Sequence, residues 1–445
     1  LSAAEGLTGH YDDLQSRWTV TDRIADYARL VVPTGNSSEA IHRWFHLKEA
    51  YSHQLLERLF KDSNWTPHQH LAILDPFCGS GTTVVSALAL AQQYSVVPNI
   101  LGVERNPFLW EVSTAKALGV LQGAKLAQDI RTQLPLLDKL YIEALKKKWT
   151  TPSSTLSNGK YFPPEHLQAL LALRHSISEL DTHGVTRILR VCLAASVEAA
   201  GKLRRDGRAL RHKPKWKPQD PKSVFDANVT RVLEDLEGRS QAAQSWKCRV
   251  VLGDAREAQT YAGKQKFDWI IFSPPYPNNI DYTEVYKTEA WALGLWERPD
   301  EMRAQRLSTI RSHPSVRFPE EYSYLAGRHA DEVRSLLSPL IAAIPNDQYK
   351  VGRRQIIQGY ADDMLRVFSS SRKVINPNGR LVYVVGNSVH GSMDSAFVIA
   401  ADILLARLAE LAGWEVEEIR LARRLTRRSF IADHLRESVV VLRPC

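Results

Sequence analysis

The sequence predicts an α/β protein built on an open, largely parallel sheet that long helical insertions interrupt. Three observations carry this expectation. Strand candidates at 71–74, 100–103, 247–252 and 267–272 each end in a loop of acids, glycines or prolines. The first is followed by a glycine-rich turn and then by apolar residues at helical spacing, the opening strand–loop–helix–strand unit of such a sheet. Between the second and third runs the alternation stops, and residues 115–245 read as mostly helical.

The bulk numbers set limits. A chain of 445 residues has room for one large domain with insertions or for two or three ordinary ones. No stretch approaches the roughly 20 uninterrupted apolar residues of a membrane span. The opening LSAAEGLTGH lacks a basic region followed by an apolar core, so it does not read as a secretory signal. Cys78, Cys192, Cys248 and Cys445 are far apart and match no zinc spacing, which makes a reducing cytoplasm the expected setting. A formal charge of +9 suits a polyanionic partner.

The elements follow in order. Residues 1–70 read as mainly helical, with Ile41, Trp44, Phe45, Leu47, Leu55, Leu56, Leu59 and Phe60 giving 40–60 a helical spacing. Run 71–74 is a buried strand, the following loop is tight, and 82–92 is a helix. Strand 100–103 ends at Glu104. Helices are expected near 134–148, 163–179 and 184–203. The tract 202–217 differs: it carries Lys202, Arg204, Arg205, Arg208, Arg211, Lys213, Lys215 and Lys217 against Asp206 alone, and Pro214 and Pro218 argue against a long helix. Strand 247–252 leads to Gly253 and Asp254, and strand 267–272 leads to Ser273. A basic insertion or lid, rich in Tyr, Arg and His, spans 281–350. A helix near 355–372, a turn at Asn376-Pro377-Asn378-Gly379, strand 380–385, a helix near 395–412, a segment at 414–421 and a last strand at 438–442 complete the core. The expected organisation is therefore N-terminal helices and half of the core over 1–114, a helical basic insertion over 115–245, core with a loop of chemical interest over 246–280, a second insertion over 281–354, and the rest of the core over 355–445.

Chemistry is expected at the strand ends. In Asp75-Pro76-Phe77-Cys78-Gly79-Ser80-Gly81-Thr82 the glycines permit a tight turn and close ligand approach, and the next helix offers free amides. Such a loop also serves nicotinamide cofactors, but the Asp75 charge would repel a pyrophosphate and suits an ammonium group instead. Glu104 is placed to accept hydrogen bonds from ribose hydroxyls. Asp254 is placed to accept an adenine amino proton, or to cap a helix at Ala255. The three acids sit on successive strand ends and would line one crevice rather than hold a metal; no metal is expected. In Ser273-Pro274-Pro275-Tyr276, the prolines stiffen the backbone and remove two donors. Carbonyls and the Ser273 hydroxyl can then accept from an amino group, while Tyr276 offers a face for an extruded base. An exocyclic base nitrogen is a poor nucleophile because its lone pair is delocalised. Acceptors around its hydrogens favour the tetrahedral form that attacks a methyl carbon, so the catalysis expected is orientation and electrostatics.

These motifs resemble those of the amino-group DNA methyltransferases, the bacterial N4-cytosine and N6-adenine enzymes. The resemblance covers 40–110 and 248–285 well and 355–442 in outline. It implies a Rossmann-like class I methyltransferase core with a mixed, largely parallel sheet. It also implies S-adenosylmethionine as cofactor, S-adenosylhomocysteine as product, and double-stranded DNA as partner. The implied roles are target-amine contact for Ser273 and Pro274, loop support for Pro275, base packing for Tyr276, and adenosine contacts for Glu104 and Asp254. Asp75, Phe77, Gly79, Ser80, Gly81 and Thr82 belong to the cofactor loop. The segment from His42 to Glu49 resembles the family's cofactor-flanking stretch, which marks His42, Trp44 and Lys48, although Trp44 and Phe45 also fit a core stripe. Asn387 is a further polar candidate. The serine in first place is more typical of the N4-cytosine enzymes, with N6-adenine next. A role in bacterial restriction–modification or defence, with a cognate nuclease and nucleoid association, follows from the resemblance alone.

No separate recognition domain stands out, so DNA contact falls to the insertions at 115–245 and 281–350. Arg204, Arg205, Arg208, Arg211 and Lys213 are the expected phosphate contacts; Arg420, Arg423, Arg424, Arg427 and Arg428 form a second cluster. Three other readings remain open: a guanine-N2 RNA methyltransferase, a non-catalytic nucleic-acid binder with a relic core, and a nicotinamide oxidoreductase.

Overall fold

The computed structural model describes residues 3–151, 153–206, 209–278, 280–391, 395–426 and 432–445. Its strands, in chain order, are β1 (Val20–Asp22), β2 (His70–Asp75), β3 (Val97–Glu104), β4 (Leu203–Asp206), β5 (Ala209–His212), β6 (Lys247–Leu252), β7 (Phe267–Phe272), β8 (Ile375–Gly386), β9 (Ser388–His390), β10 (Phe397–Ile399), β11 (Trp414–Arg424) and β12 (Arg436–Pro444). The main sheet has the order β1-β11-β12-β8-β7-β2-β3-β6. Pairings from β8 through β6 are parallel, whereas β12 runs antiparallel to both β8 and β11. This is the Rossmann-like, mixed and largely parallel sheet that the sequence predicts. The order reverses between β2 and β7. Ligands of open α/β sheets bind in the crevice at such a switch point, beyond the carboxyl ends of the strands. The glycine loop leaves β2 there, and the Ser-Pro-Pro-Tyr loop leaves β7.

Alternation along the strands builds a core on each face of the sheet. Leu71 and Ile73 of β2, Trp269 and Ile271 of β7, and Val382 and Val384 of β8 point to one side. Leu74, Ile270, Phe272, Leu381, Tyr383 and Val385 point to the other. Helices Ala124–Leu145, Pro164–Ser178, His183–Ala200 and Pro221–Leu236, which make up most of the first insertion, extend the first core. Helices Ala3–Gln15, Ala330–Ala342, Lys350–Arg372 and Ala401–Leu411 cover the second. Both insertions therefore share the core of the fold rather than standing off it.

Three expectations change. Residues 40–60 do not form one helix: a 3-10 turn at His42–Trp44 and a helix at Leu55–Asp62 flank an irregular stretch. The cause is Asp235, a buried carboxylate that accepts from Ile41 N–H (2.7 Å), Trp44 Nε1 (2.9 Å) and Arg43 Nη2 (2.6 Å), with Ile41 held at φ +68°. The cationic tract, for which no regular element is expected, contains an antiparallel hairpin formed by β4 and β5. The Asn-Pro-Asn-Gly turn is absorbed into β8, where the register to β7 shifts between Phe267 and Trp269.

Candidate active site

A cavity of about 470 Å³ is lined by Asp75, Gly79, Glu104 and Asp254 on one side and by Pro274 and Tyr276 on the other. The two strand-end loops thus face one space. Phe77, Ser80, Thr82, Ser273 and Pro275 line it as well.

The glycine loop is shaped by its own acids. Gly79 and Gly81 sit at φ +51° and +86°, where a side chain is strained, and a Cβ at Gly81 would lie 3.1 Å from Ser113 Cα. Gly81 is not itself among the lining residues; its place is conformational, at the N-terminus of helix Thr82–Gln93. Glu104 Oε2 accepts from Gly79 N–H (2.7 Å) and its Oε1 from Asn106 N–H (2.8 Å). Asp75 accepts from Phe77 N–H (2.9 Å) and from the Thr83 hydroxyl, which also meets Tyr51. Burial pushes both acids up to about 7, against the hydrogen bonds that favour their charged forms.

This donor set fits S-adenosylmethionine. The Gly79 amide that a pyrophosphate would need already serves Glu104, and a second acid lies behind it. Each Glu104 oxygen keeps acceptor capacity for a hydroxyl. Asp254 lines the same cavity, but its carboxylate caps the turn at Ala255–Glu257 through Arg256 N–H (2.9 Å) and pairs with the Arg256 guanidinium at 2.6 Å. Arg256 reaches on to Asp363 (2.9 Å) and to the Ser308 carbonyl (2.9 Å), and Arg311 pairs with Asp363 and Asp362. Buried charge thereby fixes residues 308–313 of the second insertion as a wall of the cavity. Nothing in the sequence pattern singled out this wall, because its partners lie far apart along the chain.

The flanking segment divides. Lys48 lines the cavity and donates to the Arg205 carbonyl (2.8 Å). His42 and Trp44 do not line it: both are buried, and Trp44 packs so closely on Gly119 that a Cβ there would meet its ring at 2.3 Å. Their expected cofactor contact is corrected to a core role. Lys116, fully buried, donates to the carbonyls of His42 and Phe45 (2.9 Å each) and holds that turn.

In the second loop, Pro274 and Pro275 offer carbonyls without N–H groups. The Tyr276 hydroxyl donates to Glu437 Oε1 (2.8 Å) and accepts from Ser273 Oγ (3.3 Å). Its ring lies against Gly386, where a Cβ would come within 2.8 Å. Glu437 is held in turn by Arg423 at 2.8 Å. Glu437 and Gly386, carried by β12 and β8, belong to no motif and were not legible beforehand. Asn387 lines the cavity but spends its amide on Asp402 (2.7 Å) and the His434 carbonyl (2.7 Å).

The cationic tract is corrected in detail. Arg205 is drawn inward: it pairs with Glu198 and with fully buried Glu289, and lies 4.7 Å from the Tyr286 ring centroid. Arg204 donates to the Gly201 carbonyl (3.1 Å) and stacks on Trp216. Neither guanidinium is free for phosphate. Arg211 and Lys213 are exposed, and Arg208 lies outside the described residues. In the later cluster Arg420 is buried against Glu418 and Tyr27, while Arg427 and Arg428 lie outside the described residues.

Among the described residues no helix is long and apolar enough to cross a membrane, and no group of three His, Cys, Asp or Glu side chains is placed to hold a metal ion. No family model matches the chain. It is similar to the type II methyltransferase M.AvaI of a Nostoc species and of Anabaena variabilis, at 25% identity over 434 residues, 88% of this chain and 82% of the relative. It is similar to the type II methyltransferase M.BsoBI of Geobacillus stearothermophilus at 23% identity over 440 residues, 87% of this chain and 81% of the relative. Among solved structures, the rRNA methyltransferase AviRa of Streptomyces viridochromogenes aligns at a TM-score of 0.33 and 11% identity, covering 94% and 96% of the two chains. The strand order, the acid-clamped glycine loop and the similarity to type II methyltransferases over most of its length lead to one conclusion: the chain is an S-adenosylmethionine-dependent methyltransferase.

Proposed function

We propose that this enzyme methylates an exocyclic amino group of a flipped base in double-stranded DNA, with cytosine N4 as the target. The observation that carries the reading is the single cavity shared by the glycine loop and Ser273-Pro274-Pro275-Tyr276. Bound S-adenosylmethionine supplies the methyl group as a good electrophile. The chain's own residues do the rest. Asp75 and Glu104 hold the methionine and ribose ends. The Ser273 hydroxyl and the Pro274 carbonyl accept the amino hydrogens and bring the nitrogen lone pair toward the methyl carbon. Tyr276, pinned by Glu437, packs on the base. The amine nitrogen would gain one carbon bond as the carbon–sulfur bond breaks to leave the neutral thioether, and the proton that the nitrogen loses would pass to water.

Two further observations support the reading, one from the relatives and one from the first residue of the loop. The relatives are named type II methyltransferases, which fits a modification partner of a restriction or defence system. The serine at position 273 supports cytosine over adenine. The test is transfer of labelled methyl groups to plasmid DNA, followed by nucleoside mass analysis. N4-methylcytosine is expected. N6-methyladenine would move the target while keeping the chemistry; label confined to RNA, or absent, would overturn the reading.

A further inference from the structure

Beside the cavity, the turn that follows β5 holds an exposed indole on a guanidinium. Arg204 Cζ lies 3.8 Å from the Trp216 ring centroid. One indole face is thus covered, yet the residue remains 45% exposed. The turn is ordered by backbone hydrogen bonds from Trp216 N–H to the Lys213 carbonyl (3.0 Å) and from Lys213 N–H to the Lys202 carbonyl (2.8 Å). Lys213, Lys215 and Lys217, within three positions of Trp216 in the chain, are exposed, and exposed Lys160 lies over Tyr161, whose carbonyl accepts the Lys202 N–H at 2.7 Å. Glu198 pairs with Arg205, and Asp220 caps the helix Pro221–Leu236. A water-facing ring set among like charges is the composition that binds nucleic acid, where ammonium groups meet phosphates and an aromatic face meets sugar or base.

The turn is also fixed relative to the cavity. Lys48 on the cavity wall donates to the Arg205 carbonyl (2.8 Å). Tyr286, which packs on the Arg205 guanidinium, donates its hydroxyl to Glu49 (2.7 Å), another wall residue. Arg204 and Arg205 therefore act as internal struts, and the residues outward of them face solvent.

We propose that Trp216, Lys215 and Lys217 form a contact surface for duplex DNA that holds the double helix beside the target-base cavity. The lysines meet phosphates, and the free indole face meets a sugar or an unstacked base. This rests on the DNA reading above and names the surface that delivers the substrate.

The test measures affinity of the full chain for a DNA duplex across a salt series. The Lys215→Gln/Lys217→Gln double variant is expected to lower the slope of log affinity against log salt by about two. Trp216→Ala is expected to weaken duplex binding roughly tenfold with the slope unchanged, and Trp216→Phe to restore most of it. Cofactor binding should match the parent in all three. A parent that methylates DNA while the variants keep its affinity and slope overturns the surface and leaves the reaction standing. A parent with no salt-dependent affinity for the duplex overturns both, and tighter, equally lysine-dependent binding to RNA overturns the choice of DNA.

Discussion

The loop after β2 and the loop after β7 leave adjacent strands and line the same cavity, yet they draw on opposite hydrogen-bonding resources. The first turns its amides onto carboxylates: Gly79 N–H meets Glu104, and Phe77 N–H meets Asp75. Two glycines at positive φ make that turn possible. The second lacks amides at Pro274 and Pro275, and its aromatic is tied by one hydroxyl to Glu437 on β12, far along the chain. One loop is a set of satisfied donors around buried acids, suited to a cationic, hydroxyl-bearing ligand. The other is a stiff set of acceptors, suited to an amine. The comparison teaches that adjacent loops acquire opposite hydrogen-bonding chemistry by which backbone group each withholds, and the proposed division between cofactor and substrate follows that difference.

The sharpest break in the comparison is Tyr276→Ala. It should cut methyl transfer by about 100-fold, the upper part of what base–aromatic stacking contributes, while calorimetry shows cofactor affinity within about twofold of the parent. Equal losses in both would mean that the loops do not divide the work. Gly79→Ala should do the reverse: with φ at +51° and Leu47 3.1 Å from the new Cβ, strain of about 1–2 kcal/mol should weaken cofactor binding by about 5- to 30-fold.

The acids sharpen the first loop further. Asp75, raised to about 7, must lose its proton to hold an ammonium group. Cofactor affinity should therefore rise about tenfold between about pH 6 and pH 8, and Asp75→Asn should flatten the profile. The same shift has the opposite sign for the ligand-free chain. The folded state binds a proton that the unfolded state has lost by about pH 4. The stability from Asp75 and Glu104 is thus full below that value and is lost as pH rises through about 7, so thermal melts should show a lower midpoint at about pH 8 than at about pH 6. The smallest effect is expected from Tyr276→Phe, which keeps the ring and removes the bond to Glu437: about threefold in turnover.

Much of this was readable from the sequence where local pattern and local structure coincide. Strand 267–272 stands where its apolar run places it, because a strand buried on both faces writes itself as a near-continuous apolar stretch; 247–252 is an edge strand, partly open to solvent, that was marked only by Val250, Val251 and Leu252 ahead of Gly253. The two loops were readable because glycine and proline act on their own backbone. What failed depends on distant partners. Asp235 bends the segment around Trp44 away from a helix from almost two hundred positions downstream. Glu289 pulls Arg205 out of solvent, so a tract that reads as uniformly cationic contains two internal struts. Glu437, Gly386 and the Arg256–Asp363 link reach the site only through strand order and helix packing.

The central claim is that a methyl donor held by the first loop faces an amine held by the second. A crystal structure with S-adenosylhomocysteine and a duplex carrying the mapped methylation site tests it most directly. The account predicts the sulfur and the target amino nitrogen facing each other across the cavity, near attack distance once the roughly 3–3.5 Å of a reactive pair is allowed for, with the base on Tyr276 and its amine at Ser273 and Pro274. A base left stacked in the duplex, or an amine bound away from the Pro274 carbonyl with the cofactor in place, would contradict it.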